Sequence, residues 1–208
     1  MIDVGANIGT IGLTAVATKI VNHCLAFEPE PLNYKLLELN ISLNNLSQSV
    51  SAYNVALSDG QHNEMEFEID DKNSGDHRIR VTNSPGLFQE SARQVIRVTT
   101  ARLDDFTSQI DSTKSLIWMD TQGFEGYVLS GAKNLLTSGI PIVTEFWPYG
   151  LKRSGCFNLF LDVLETGRYE QFARLDDDGQ IRKLSRNALL ELAERLGWDG
   201  NHTDILIY

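Results

Sequence analysis

The sequence MIDVGANIGTIG, residues 1–12, carries the strongest signal for the fold of this chain. The loop that follows the first apolar residues is acidic and glycine-punctuated, with Asp3, Gly5, Asn7 and Gly9. Residues 8–20 then read as a helix rich in Ile, Leu, Ala and Val. A strand, a tight turn and a helix N-terminus in this order predict a nucleoside-binding turn. The glycines permit close ligand approach, and the first helical amides are expected to be free to donate.

Composition favours one compact domain over residues 1–208. The chain is 42% hydrophobic and 22% charged, which suits a sizeable core. So few residues precede the first turn that we expect an N-terminal truncation, a fragmentary gene or an unusually minimal domain. The net charge of −10 argues against nucleic-acid partners, whose phosphates require clustered Lys and Arg.

Cysteine, histidine and apolar patterning narrow the class further. Cys24 and Cys156 lie in apolar contexts and are expected to be buried, reduced thiols. No apolar run is long enough to span a bilayer and no signal peptide is recognisable, so we predict a cytoplasmic protein without membrane contact. The four histidines lack metal-ligand spacing, and no metal is predicted. His77 and His202 remain outside candidates for acid–base work.

Apolar segments alternate between strand-like and helix-like periodicity along the chain. The predicted strands include Cys24–Phe27, Val50–Leu57, Ser115–Met119, Ile140–Phe146, Tyr169–Leu175 and Asp204–Tyr208. One predicted helix ends near Asn44. Three further helices are predicted over Phe124–Leu136, Phe157–Thr166 and the segment from Ser185 to Leu196. This alternation predicts an α/β fold with a doubly wound, mostly parallel sheet, in which an antiparallel closing strand would fit.

Three segments interrupt this regular pattern. Glu64–Ile69 and Gln94–Thr100 alternate with period two and predict an inserted antiparallel hairpin. The segment between them, Asp70–Glu90, is predicted to be a mobile surface loop, either a lid or a plain connection. Residues 176–179, Asp-Asp-Asp-Gly, lack the spacing of a calcium loop and are read as a polar turn.

Four motifs together carry a family resemblance. They are DVGANIG at residues 3–9, FEP at 27–29, NVALSD at 54–59 and DTQGFE at 120–125. In this order the chain resembles the FkbM-type family of S-adenosylmethionine-dependent methyltransferases. The resemblance implies a Rossmann-like class I methyltransferase fold, with a seven-stranded sheet whose last strand is antiparallel, and O-methylation of a sugar or natural-product hydroxyl. Gln122 stands where many relatives have Glu, and Trp118 where many have Lys.

The predicted cofactor contacts follow the strand ends. Asp3 and Asn7 offer polar contacts to the amino-acid end of S-adenosylmethionine. Glu28 can accept both ribose hydroxyls, or it can serve only as a helix N-terminal carboxylate. The segment 54–58 would flank the adenine through Asn54, Ala56 and Leu57.

Asp120 is the first choice for catalysis, since it follows the fourth parallel strand, where donor and acceptor would meet. A carboxylate there could take the proton from an acceptor hydroxyl. If Asp120 only holds the methionine amine, Glu125 or Glu145 becomes the base. Glu125 also fits an acidic residue in a first helical turn.

Two other classes of function remain open at this stage. Gly5, Gly9 and Gly12 with a later acid imitate the fingerprint of a nicotinamide-dependent oxidoreductase, although Asn7 stands where the middle glycine usually admits pyrophosphate. A non-catalytic nucleoside-binding domain is the other. The predicted acceptor is a small molecule or glycan, and the oligomeric state is not predicted.

Overall fold

The computed structural model describes residues 1–176 and 180–208. In its first half the elements are β1 (Ile2–Val4), α1 (Thr10–Ala17), β2 (Cys24–Phe27), α2 (Pro31–Leu43), β3 (Val50–Tyr53), β4 (Ala56–Leu57), β5 (Glu64–Ile69), β6 (Arg78–Ile79) and β7 (Gln94–Ala101). In its second half they are β8 (Ile117–Met119), α3 (Glu125–Ser130), α4 (Lys133–Leu136), β9 (Ile142–Phe146), α5 (Pro148–Arg153), α6 (Phe157–Thr166), β10 (Gln171–Arg174), β11 (Ile181–Lys183), α7 (Arg186–Leu196) and β12 (Thr203–Ile207).

The central sheet has the order β11-β10-β12-β9-β8-β1-β2-β3. Strands β3, β2, β1, β8 and β9 pair in parallel, and β12 runs antiparallel to both β9 and β10. The predicted mostly parallel sheet with an antiparallel last strand is therefore confirmed. The structure adds β11 at the outer edge, which three residues beside a polar turn were too short to reveal by periodicity.

A second, four-stranded sheet has the order β4-β7-β5-β6. The predicted antiparallel pair is confirmed, since β5 and β7 align Glu64 with Thr99 through Ile69 with Gln94. The single strand predicted over Val50–Leu57 is wrong, because it divides into β3 of the large sheet and β4 of the small one. Strand pairing with two different neighbours overrides a continuous apolar pattern here.

Two predicted helices also change. The helix expected over Phe124–Leu136 breaks at Gly131, where a Cβ would overlap the main-chain oxygen of Ser58. Asp104 then accepts the amides of Asn134 and Leu135 and so begins α4. Helix α1 is shorter than expected, because Lys19 adopts a φ of +61° beyond its end. Helix α5 was not predicted.

The segment Asp70–Glu90 is not free surface chain. It contains β6, which pairs with β5, and its arginines lie in a largely buried ion cluster with acids of the segment itself and with Glu68 of β5. The members of this cluster are Arg78, Arg80, Arg93 and Arg153 with Glu68, Asp70, Asp76 and Glu90. The segment is thus anchored against β5 and α5.

Other features bear on the predictions made from composition. Cys24 and Cys156 are buried free thiols, as expected. Within residues 1–176 and 180–208 no helix has both the length and the apolar character needed to cross a bilayer. Of the predicted acidic turn, residues 177–179 lie outside the described part of the chain.

Candidate active site

A cleft of about 230 Å³ opens at the carboxyl ends of β1, β2 and β8. This edge is where parallel α/β sheets bind ligands. The turn after β1 and the residues after β2 form one side, and the segment after β8 forms the other. Residues 74–79 of the anchored segment contribute Ser74, Gly75, His77 and Ile79 to its lining.

The shape of the glycine turn after β1 is determined by main-chain contacts with Phe27 and Asp120. The amides of Gly5 and Ala6 both donate to the carbonyl of Phe27, at 3.0 and 2.9 Å. Gly5 has a φ of +82°, and a Cβ there would overlap the main-chain oxygen of Asp120. Gly5 lines the cleft, whereas Gly9 does not, because a Cβ on Gly9 would meet the core side chains of Leu13 and Leu37. The predicted ligand role of Gly9 is therefore replaced by a packing role.

Asp3 lies in the lining but is 2% exposed. Its Oδ2 accepts a hydrogen bond from the Gly12 amide at 2.9 Å. The first-turn amides of α1, which were expected to be free, are therefore partly occupied. Burial is the main reason that the pKa of Asp3 is raised to about 6. Asp3 therefore places an acidic group at the N-terminus of α1.

Glu28 connects the ends of β1 and β2. Its two carboxylate oxygens accept the amides of Asn7 and Glu30, each at 2.8 Å. Burial raises the pKa of Glu28 to about 7 against the lowering effect of these bonds. Each oxygen keeps a second lone pair and the residue lines the cleft, so the predicted ribose contact stays a prediction that this geometry permits.

The residues predicted to flank the adenine divide into two groups. Ala56 and Leu57 line the cleft together with Val55. Asn54 does not line it, because its amide donates to the carbonyls of Glu28 and Pro29 at 2.8 and 3.0 Å. Asn54 instead holds the end of β3 against the turn after β2.

Asp120 lines the cleft directly after β8. The Gln122 amide donates to Asp120 Oδ1 at 2.7 Å and to Glu145 Oε2 at 3.4 Å, so one side chain connects two of the predicted catalytic acids. Partial desolvation inside the cleft raises the pKa of Asp120, although its side chain stays accessible to solvent. Burial together with the nearby Asp120 raises the pKa of Glu145 to about 9. His202 Nε2 lies 3.7 Å from Glu145 Oε1.

Glu125 does not reach the cleft. Its side chain is fully buried, and its Oε1 accepts from the Thr121 amide and hydroxyl and from the Gly123 amide. Burial raises the pKa of Glu125 to about 7. The observed contacts of Glu125 shape the turn 121–123, and its predicted role as a base stays a prediction.

Sequence reasoning missed Asn33 and Ser74, which line the cleft together with the predicted Asn7 and the outside candidate His77. The Ser74 carbonyl accepts from the side-chain amides of Asn7 and Asn33, each at 3.2 Å. His77 also lines the cleft, and its Nδ1 accepts the amide of Asp70 at 3.0 Å. No local signal marks Asn33, since its partner lies 41 residues away in the chain.

The charged side chains that line the cleft are acidic. Its ionisable acids are Asp3, Glu28 and Asp120, and none of the described residues that line it is Lys or Arg. Among residues 1–176 and 180–208, no group of three His, Cys, Asp or Glu side chains is arranged to hold a metal ion. The cleft therefore suits a neutral or positively charged organic ligand.

Comparisons with known proteins agree with this geometry. The model of the FkbM methyltransferase domain matches residues 3–188. The chain is 26% identical over 158 residues to 2-O-methyltransferase NoeI of Sinorhizobium fredii. The aligned region covers 70% of this chain and 62% of that protein. It spans less than two thirds of that relative. Methyltransferase FkbM from Methylobacillus flagellatus has the same fold, with a TM-score of 0.56 at 16% identity, over all of this chain and 43% of that one. Because the family model covers most of its length, the chain belongs to the FkbM methyltransferase domain family.

Proposed function

We propose that the protein is an S-adenosylmethionine-dependent methyltransferase that acts on a hydroxyl of a sugar, glycan or small natural product. The observation that carries the proposal is the acidic cleft, whose described lining holds no Lys or Arg, at the carboxyl ends of the parallel strands, where α/β sheets bind ligands. When bound, S-adenosylmethionine supplies a positively charged sulfonium whose methyl group is open to attack by an oxygen.

The residues of the cleft fit this cofactor. Asn7 Oδ1 is buried without a hydrogen-bond partner, so it is an acceptor that a hydroxyl or ammonium group would satisfy. Glu28 has lone pairs left for ribose hydroxyls, and the apolar wall of Ala56 and Leu57 suits an adenine face. Asp3 and Asp120 make the remaining polar wall negative, which favours a cation.

The same acids disfavour a nicotinamide dinucleotide. A pyrophosphate binds at a helix N-terminus through free backbone amides and is repelled by neighbouring carboxylates. Here the Gly12 amide of α1 is already bonded to the Asp3 carboxyl. The oxidoreductase alternative is therefore the weaker one on electrostatic grounds.

The side chains of this protein contribute orientation, a proton acceptor and exclusion of water. Asp120 faces the cleft and can accept the proton that an acceptor hydroxyl loses as its oxygen forms the new bond to carbon. Hydrogen bonds from Asn7 and Asn33 to the Ser74 carbonyl hold that residue against the cleft, where it can limit the access of water to the reacting groups. Alignment of the two reactants supplies much of the rate increase in such displacements.

Oxygen is proposed as the acceptor atom on two grounds. The printed name of the NoeI relative is that of a 2-O-methyltransferase. A hydroxyl also needs a nearby base, and the cleft offers Asp120, which Gln122 connects to Glu145 behind it. Neutral acceptors are favoured over anionic ones, since these acids would repel an acceptor phosphate or carboxylate.

Titration calorimetry with S-adenosylmethionine, S-adenosylhomocysteine and NAD tests the proposal. We expect both sulfur ligands to bind and NAD not to bind; NAD binding alone would overturn it. Incubation with labelled S-adenosylmethionine and a panel of sugars and small hydroxylated metabolites then tests turnover. Binding without any release of S-adenosylhomocysteine would favour the alternative of a non-catalytic nucleoside-binding domain.

A further inference from the structure

Gln122 connects the two acids of the cleft edge, and sequence reasoning gave it no role. Its two amide hydrogens point to different carboxyl groups, with the shorter bond to Asp120 and the longer one to Glu145. An amide donates without carrying charge, so it can separate two acids without adding a cation to the site.

The backbone around Gln122 is built to hold this position. Gln122 adopts a φ of +55°, a region that costs a residue other than glycine about 1 kcal/mol or more. Glu125 accepts the amides of Thr121 and Gly123 on either side of it. Gly123 in turn packs against the main chain of Gly150, where a Cβ would clash. A strained residue fixed from both sides is typical of a functional position.

The charges that face Asp120 come from several elements. On the acidic side they are Asp3 on β1, Glu125 on α3, Glu145 on β9 and Asp204 on β12. His202, before β12, acts on Asp120 in the opposite sense, and Arg78 does so on Glu145. Since acids dominate, a hydrogen bond donated to one of the two carboxyls favours its ionisation next to the other.

We propose that Gln122 is the positioning residue of this acid pair: its bridge keeps Asp120 as the carboxylate that takes the acceptor proton and leaves Glu145 as the protonated partner. The catalytic half of this statement rests on the proposed methyltransferase function. The ionisation half concerns only the free protein and can be measured without cofactor.

The test is a carboxyl-carbon NMR titration of the full chain without ligand, in which Asp120 is assigned by comparison with Asp120→Asn. Gln122→Leu removes both donors at similar size, and Gln122→Asn keeps them but shortens the reach, on a residue type that tolerates positive φ well. We expect the titration midpoint of Asp120 to rise by about one pH unit in both variants. Gln89→Leu is the matched control, because Gln89 has the same φ of +55° and is exposed on the loop before β7.

An unchanged Asp120 midpoint in folded Gln122→Leu or Gln122→Asn would overturn the proposal, as would an equal rise in Gln89→Leu. In methyl-transfer assays the pH profile of kcat should move upward by the same amount, with KM for S-adenosylmethionine within about twofold. If the NMR midpoint moves while no form of the protein transfers a methyl group, the bridge stands and the proposed function falls.

Discussion

Gly5 shows at the scale of one residue how the cleft is assembled. Its positive φ and the missing Cβ let the main chain of Asp120 lie directly against the turn, so that the ends of β1 and β8 meet. We predict that Gly5→Ala lowers the free energy of unfolding by roughly 3–5 kcal/mol, because backbone strain and overpacking add. Chemical denaturation measures this.

Gly139→Ala is the control for that substitution. Gly139 also has a positive φ, of +70°, but a Cβ there would meet nothing closer than 3.8 Å. It should therefore lose only the strain energy of about 1 kcal/mol. Equal losses for the two variants would show that the contact with Asp120 contributes nothing.

Glu28 is the residue on which cofactor recognition should depend most. Glu28→Gln removes the negative charge and replaces one acceptor oxygen with an NH2 donor. That donor would face either a backbone amide or a ribose hydroxyl that now binds a carboxylate oxygen. We predict that S-adenosylhomocysteine binds about 10–100-fold more weakly, the effect of losing a hydrogen bond to a charged group. Calorimetry should find no change for Glu38→Gln, an exposed acid of α2 that bonds Tyr34; unaltered binding in Glu28→Gln would refute the ribose contact.

The candidate site residues differ in how predictable they were, and the difference follows the sequence separation between each residue and its contact partners. Glu28 and Asp120 were predictable, because a residue that follows a parallel strand must lie at the binding edge of the sheet. The burial of Glu125 was not, because a charge in a first helical turn usually faces solvent. The pairing of Asn33 with Ser74 depends on a loop path that no local pattern encodes.

At the scale of elements, the buried ion cluster decides where the segment over the cleft lies. Glu90 is fully buried and contacts Arg153 at 3.2 Å and the Tyr149 hydroxyl at 2.8 Å. We predict that Glu90→Gln lowers the free energy of unfolding by about 3–5 kcal/mol, because it removes the carboxylate paired with Arg153 and one of the two paired with the buried Arg78. Denaturant midpoints measure the loss.

Glu64→Gln provides the comparison within the same small sheet. Its ion pair with Arg97 is 3.7 Å long, with side chains 55% and 74% exposed. Such a pair contributes at most about 0.5 kcal/mol, so its loss should be barely measurable. A similar result for Glu90→Gln would mean that the cluster does not anchor the segment.

Element types were predictable wherever periodicity and burial agree. The strands Cys24–Phe27 and Glu64–Ile69 and the helix Phe157–Thr166 have the predicted bounds. Each of the two strands pairs with one neighbour over its whole length, β2 with β3 and β5 with β7. Predictions were wrong where the chain changes partners, as between β3 and β4, or where backbone meets backbone at Gly131. Tertiary contacts determine those breaks, so the periodicity of apolar residues along the sequence does not indicate them.

At the scale of the whole molecule, buried acids set the response to pH. The pKa of Asp3 rises from 3.8 to about 6, those of Glu28 and Glu125 from 4.5 to about 7, and that of Glu145 from 4.5 to about 9, in each case mainly through burial. The folded chain therefore holds these protons more tightly than the unfolded chain. Their contribution to stability is complete below about pH 4 and is lost as the pH rises through the folded-state values.

Glu125→Gln isolates one of these groups. Its amide oxygen can still accept from Thr121 and Gly123, and it cannot ionise. We predict unfolding free energies equal to wild type near pH 5 and higher by on the order of 3 kcal/mol above pH 8, from the difference between 4.5 and about 7 at about 1.4 kcal/mol per pH unit. Denaturation across this pH range measures the divergence, which exposed Glu64→Gln should not show. A gap that stays constant with pH would mean that Glu125 does not titrate in this window, and that the buried acids do not govern the stability of the free protein.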